Sequence, residues 1–126
     1  MIHIERPEFE RIVEETFDRL PEQFREVIEN VGVVVEDYPS DETVRQLGLR
    51  SRQSLLGLYQ VVPLPKRGSS YGMFPIGPDK ISLYQKNIEA HCSTESQLLD
   101  KIHEVLVHEI GHYFGMSEEE IRSAGF

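Results

Sequence analysis

The chain contains a single cysteine, Cys92, among its 126 residues. One cysteine excludes a disulfide within the chain, and this fits a reducing compartment. The first residues lack the charged and then apolar pattern of a secretory signal. Long apolar runs are missing too, because the longest lie near Val33–Val35 and are far too short to span a bilayer. We therefore expect a cytoplasmic protein with no membrane partner, in which Cys92 is a small packed side chain.

Basic residues are also scarce. The chain has 13 lysines and arginines against 22 aspartates and glutamates, a formal net charge of −9. So acidic a surface repels phosphate backbones and anionic membranes, and nucleic acid is therefore not an expected partner. The hydrophobic share of 39% and the charged share of 28% are ordinary for a soluble globular protein. The length predicts a single domain, residues 1–126, with one modest core.

The most informative pattern is the HEIGH segment at residues 108–112. Two histidines four positions apart on a helix are separated by about 40° of rotation and about 6 Å of rise. The imidazoles of His108 and His112 therefore leave the same face and can bind one metal ion. Glu109 is turned roughly 100° from His108. Its carboxylate is placed to take a proton from a metal-activated water rather than to bind the metal.

The pattern after His112 predicts a third ligand. A catalytic zinc normally takes three protein ligands, and no histidine follows His112. Gly115 permits a left-handed turn that ends the helix and returns the chain beneath the metal. Glu118 then stands where proteins with the pattern H-E-x-x-H-x-x-G-x-x-(H/D) carry their third ligand, and a carboxylate oxygen is acceptable to zinc. The alternatives are Glu119, Glu120, a water, Asp79, His91 and His103, besides a solvated acidic helix start for Glu118–Glu120.

Periodicity predicts the remaining elements. Helices are predicted over Pro7–Leu20, from Pro21 onward, over Thr94–Phe114 with a capping box at Thr94 and Gln97, and over Glu118–Ser123. Strands are predicted over Val31–Asp37, Leu55–Val61 and Ile81–Tyr84. Residues 38–53 predict a loop that could contain a helical turn, and Asn87–Cys92 predicts a short helix or turn. Gly57, inside the second strand, predicts a bulge or a close approach by another backbone. The proline- and glycine-rich residues 62–80 predict a long irregular segment of the kind that is often functional.

The chain resembles a known family at these residues. The run VHEIGHYFGMSEEE, residues 107–120, is similar to the signature of the minimal zincins, small bacterial zincin-like metallopeptidases. The resemblance covers most of the chain and implies an α+β, zincin-like fold. In that fold a small mixed β-sheet packs against the active-site helix, with helices at the N-terminus. The resemblance also implies one Zn²⁺ per chain, held by His108, His112 and an acidic residue matching Glu118, although other divalent transition metals bind such sites.

The leading hypothesis is a zinc-dependent peptidase acting on peptides or unfolded proteins. The metal activates a water and polarises the carbonyl, while Glu109 takes the proton and returns it to the leaving amine. An extended peptide would pair with an exposed strand edge, either Leu55–Val61 or Ile81–Tyr84. The candidate oxyanion donors are Tyr59, Tyr71 and Tyr113.

Two other functions remain open at this stage. One is a metal-binding module that acts by interaction and has no peptidase activity, because a resemblance identifies a site and not a turnover rate. The other is a metal-dependent ribonuclease, against which the net charge of −9 and the position of Glu109 both argue. The sequence leaves the oligomeric state unknown.

Overall fold

The N-terminal part of the chain is helical. A computed structural model describes residues 1–60 and 79–123, without the side chains of residues 27–30, 118, 121 and 122. Helix α1 spans Arg6–Asp18 and helix α2 spans Glu22–Val31. The strand predicted from Val31 therefore starts too early. The helix continues through Val31, and Gly32 then takes a left-handed φ of 87° that only glycine adopts without strain.

Three short strands form one mixed sheet. Strands β1 (Val33–Glu36), β2 (Gly57–Gln60) and β3 (Lys80–Tyr84) lie in the order β1-β3-β2. Strand β1 runs parallel to β3 and β2 runs antiparallel to it. Because β3 is central, the prediction that it could offer a free edge is wrong. Of the two strands considered for a peptide, β2 lies at an edge of the sheet that residues 1–60 and 79–123 form. The predicted strand end at Val61 falls outside the described residues.

The helical turn considered for residues 38–53 is a helix of seven residues. Helix α3 spans Asp41–Leu47, and a 3₁₀ turn follows at Arg52–Ser54. The Ser40 hydroxyl accepts a hydrogen bond from the Thr43 N–H at 3.1 Å, and Gly48 ends the helix at φ 64°. None of the residues of α3 is buried. The sequence of α3 therefore has no apolar stripe that would predict the whole helix, and only its capping residues indicate where it begins and ends.

The C-terminal part consists of three helices. Helix α4 spans Gln85–Glu89, α5 spans Glu95–Tyr113 and α6 spans Glu118–Ser123. The Thr94 hydroxyl accepts a hydrogen bond from the Gln97 N–H at 3.1 Å, so the predicted start of the long helix is confirmed. Helix α5 contacts the sheet and also α1, α2, α4 and α6. It is the element around which the described part of the chain is organised.

One apolar core lies between α5, the sheet and the N-terminal helices. Its buried side chains are Phe9, Ile12, Val13, Leu20, Phe24, Val31, Ile81, Leu83, Ile88, Cys92, Leu98, Ile102, Val105, Leu106, Val107 and Ile110. Cys92 is thus the packed side chain that the sequence predicts. The α+β class and the small mixed sheet against the long helix are confirmed. Across residues 1–60 and 79–123, no helix has both the length and the apolarity needed to cross a membrane.

Candidate metal centre

Helix α5 carries the HEIGH segment on its last turns, at the border between core and solvent. Its buried side chains include Leu98, Ile102, Val105, Leu106 and Ile110, which recur at helical spacing. Glu109 is 7% exposed, whereas His108 is half-buried and His112 is exposed. The amphipathic pattern that buries one face of α5 therefore also fixes the direction in which the two imidazoles leave the helix.

The three polar side chains of the segment converge. His108, Glu109 and His112 each offer a ligand atom, and these atoms all lie within 4.8 Å of one another. The two imidazole rings are 4.6 Å apart between centroids and nearly perpendicular, at 83°. Two imidazole nitrogens and a carboxylate oxygen are ligand types that zinc accepts. In the part of the chain that the structure describes, no other three His, Cys, Asp or Glu residues form such a group.

The Glu109 carboxylate is held at both oxygens. Its Oε1 accepts a hydrogen bond from the Tyr59 N–H at 3.0 Å, and its Oε2 lies 2.9 Å from His108 Nδ1. The Tyr59 N–H is available because of the register of β2. The Tyr84 N–H donates to the Leu56 carbonyl. In an antiparallel ladder the N–H groups of alternate residues point to opposite sides, so the Tyr59 N–H, three residues after Leu56, points away from β3. Glu109 therefore binds the outer edge of β2.

A family model of the zincin-like metallopeptidases matches residues 28–125, well over half of the chain. The chain belongs to this family. The match takes in the sheet and the HEIGH segment of α5, and it leaves α1 outside. No curated protein matches the chain. Membership of the zincin-like family implies a zinc cofactor, and the two imidazoles of His108 and His112, with the carboxylate of Glu109 beside them, fit that ion chemically.

The chain turns after α5 as predicted for a zincin-like motif. Gly115 has a φ of 74°, its N–H donates to the His112 carbonyl at 2.9 Å, and the Met116 N–H donates to the Gly111 carbonyl at 2.9 Å. Glu118 is the first residue of α6, but its side chain lies outside the described part, so its role as third ligand stays a prediction.

The other candidate ligands lie elsewhere. Glu120 forms a capping box, because its Oε1 accepts from the Ser117 N–H at 3.2 Å and its own N–H donates to Ser117 Oγ at 3.1 Å. Asp79 accepts a hydrogen bond from the Tyr59 hydroxyl. His91 and Glu119 are exposed. Of the described side chains, none of these four, nor His103, joins the group around His108.

The candidate oxyanion donors are placed differently from one another. The Tyr59 hydroxyl is engaged by Asp79, and the Tyr59 ring packs edge-on against Tyr113 with centroids 5.8 Å apart. Tyr113 directly follows His112 and is 40% exposed. Tyr71 lies outside the described residues. The sequence did not predict the hydrogen bond between the Tyr59 N–H and Glu109. Its donor is a backbone N–H, which every residue except proline has, so the residue type at position 59 does not indicate it.

The bond between Tyr59 and Asp79 predicts a pH-dependent contribution to stability. The hydrogen bond to Asp79, followed by burial, raises the pKa of Tyr59 from 10.0 to about 12. The folded state thus holds this proton more tightly than the unfolded state, so the contribution is complete below pH 10 and is lost as the pH rises through 12. We expect Tyr59→Phe to lower the free energy of unfolding by about 1.5 kcal/mol at pH 7, as measured by urea denaturation.

Tyr113→Phe is the control for this prediction, because it removes a hydroxyl from the neighbouring ring of the same aromatic pair. It should change the free energy of unfolding much less than Tyr59→Phe does. The difference between wild type and Tyr59→Phe should also shrink above pH 10. A loss of equal size in both variants, or one independent of pH up to 12, would contradict the assignment.

Proposed function

We propose that the chain is a zinc-dependent peptidase that hydrolyses peptide bonds with Glu109 as the general base. The observation that carries the proposal is the convergence of His108, Glu109 and His112 on the last turns of α5, in a chain of the zincin-like family. His108 and His112 would hold the ion, with Glu118 as the third ligand. When bound, zinc supplies a Lewis acid that lowers the pKa of a water and polarises a carbonyl.

In the proposed mechanism the Glu109 carboxylate is the protein group that accepts and donates the proton. Its Oε1 accepts the Tyr59 N–H, whereas Oε2 lies 2.9 Å from His108 Nδ1, on the side of the histidines, and is the oxygen that would accept a proton from the attacking water. The same oxygen then returns the proton to the amine of the cleaved bond. Because Glu109 is 7% exposed and fixed at Oε1, little reorganisation of the carboxylate is needed before the transfer.

The substrate that fits this site is an extended peptide. Among the described strands β2 lies at an edge of the sheet, and the parity of its ladder turns the N–H and C=O of Gly57 away from β3, where a peptide strand could bond to them. A cleft of about 230 Å³ opens beside the motif. It is lined by Leu55, Leu56, Gly57, Glu104, Val105, His108 and Glu109. Because the lining of this cleft beside Glu109 is largely apolar, it could bind one apolar side chain of an unfolded substrate segment.

Removal and return of the metal test this proposal. The protein is stripped with a chelator, reloaded with one equivalent of zinc, and incubated with unstructured peptides whose products are read by mass spectrometry. We expect cleavage by the reloaded protein and none by the stripped protein. If zinc binds at one ion per chain and the peptides stay intact, the peptidase proposal fails and a metal-binding module without turnover takes its place.

The proposal extends to the cellular context. A cytoplasmic location is supported by Cys92, the single cysteine, whose thiol is buried in the core. Burial raises the pKa of this thiol and keeps it protonated and unreactive. Cell fractionation that recovered the protein outside the cytoplasm would contradict this part. A single domain over residues 1–126 is likewise proposed, and two separate unfolding transitions would contradict it.

A further inference from the structure

We propose that Gly57 is a positioning residue of the zincin-like site. Because Gly57 has no side chain, β2 lies close enough to α5 for the Tyr59 N–H to hold Oε1 of Glu109. This inference rests on the proposed function, since it assigns Gly57 a part in orienting the general base. The inference adds a residue that neither binds the metal nor transfers a proton, and it is drawn from the close packing of β2 against α5 in this chain.

The space around Gly57 is closed on the side where a side chain would stand. A Cβ placed there would lie 2.6 Å from Val105 Cγ1, 3.2 Å from the Ser82 carbonyl oxygen and 3.5 Å from Glu109 Cγ. Carbon atoms in contact prefer about 3.5–4.0 Å, so even alanine forces the strand, the helix or the Val105 side chain to move. Valine is stiff about χ1 in a helix, which favours movement of the strand. Gly57 is also absent from the described residues with a positive φ. The close approach therefore favours glycine at this position. The sequence predicted a bulge or an approach by another backbone, whereas the nearest atom is a side-chain methyl of Val105 on α5, and the backbone oxygen of Ser82 lies farther away.

The displacement caused by a side chain would reach Glu109 directly. Gly57 and Tyr59 are two residues apart on a four-residue strand, and the backbone N–H groups of both point away from β3. A shift of β2 away from Val105 carries the Tyr59 N–H away from Oε1, where the hydrogen bond now measures 3.0 Å. The Glu109 carboxylate then loses the N–H donor that fixes Oε1 and so sets the orientation of the group. His108 and His112 stand on α5 itself, and their separation does not depend on β2.

The test is a pair of substitutions and their combination. We expect Gly57→Ala to lower kcat for the cleaved peptide by roughly 10–100-fold, the cost of a small misplacement near the reacting atoms. The zinc affinity should stay close to that of wild type, because neither histidine moves. Val105→Ala removes Cγ1, the atom nearest to the added methyl. The double variant Gly57→Ala with Val105→Ala should therefore recover the kcat of Val105→Ala alone.

A second measurement does not need turnover. Hydrogen exchange of the Tyr59 amide, followed by NMR in the zinc-free protein, should be slow in wild type and faster in Gly57→Ala. It should be slow again in the double variant, and Glu109→Ala gives the reference for a lost acceptor. If wild type cleaves no peptide, the proposed function fails while the exchange pattern still tests Gly57. If the double variant is no better than Gly57→Ala in folding, exchange or kcat, or if Gly57→Ala matches wild type, the inference is overturned.

Discussion

Replacing Glu109 by glutamine is expected to leave zinc bound and to lower kcat for peptide hydrolysis by roughly 10²–10⁴-fold. The amide has the shape of the carboxylate, and its oxygen can still accept the Tyr59 N–H that now donates to Oε1 at 3.0 Å. It offers no second oxygen to take up a proton, so the attacking water is not deprotonated. Because substrate binding does not use the proton transfer, KM should change little. Steady-state kinetics and a zinc titration measure the two effects.

Glu95→Gln is the matched control for this change. It makes the same substitution in the first turn of the same helix, where the carboxylate is exposed and paired with Arg11 at 3.0 Å. Its kcat should stay close to that of wild type. Glu109→Gln with wild-type turnover would refute the general base. A collapse of zinc affinity in Glu109→Gln would instead make Glu109 a ligand, which its place within 4.8 Å of the histidine nitrogens allows.

The part of the site that could be predicted from sequence is the part set by local geometry. Two histidines four apart on one helix share a face whatever surrounds the helix. The start of α5 at the Thr94 cap and the turn at Gly115 also follow from residues within a few positions of each end. These local signals are sufficient to predict the position of the candidate metal centre without any tertiary contact.

The part that could not be predicted depends on contacts between distant residues. Tyr59 and Glu109 are 50 residues apart, and their hydrogen bond uses a backbone N–H that every residue except proline possesses. The assignment of β2 as the edge and β3 as the centre depends on the order of strands in the sheet. The full length of helix α3 could not be predicted for another reason, since the helix buries none of its residues and its sequence predicts no more than a helical turn within a loop. Gly57 predicted a bulge or a close approach by another backbone, and the sequence could not show that the nearest neighbour would be the side chain of Val105, 48 positions away.

Removal of the third ligand should have the second large effect. We expect Glu118→Ala to weaken zinc binding by more than roughly 100-fold, because loss of even an indirect partner of a metal ligand costs about 10–100-fold. The expectation rests on the turn at Gly115, which ends α5 and lets α6 begin at Glu118. Competition with a chelating dye measures the affinity, and His112→Ala gives the reference for the loss of one ligand from the same site.

The neighbouring glutamates make this experiment decisive. Glu119→Ala removes an equal charge from an exposed position and should leave zinc affinity close to that of wild type. Glu120→Ala breaks the capping box with Ser117 and should loosen the start of α6, with a smaller loss of affinity than Glu118→Ala. A large loss in Glu119→Ala or Glu120→Ala, with Glu118→Ala unaffected, would move the ligand along the helix. Equal small losses in all three would mean that the acidic turn only contributes negative potential near the ion, and that its third protein ligand lies elsewhere in the chain.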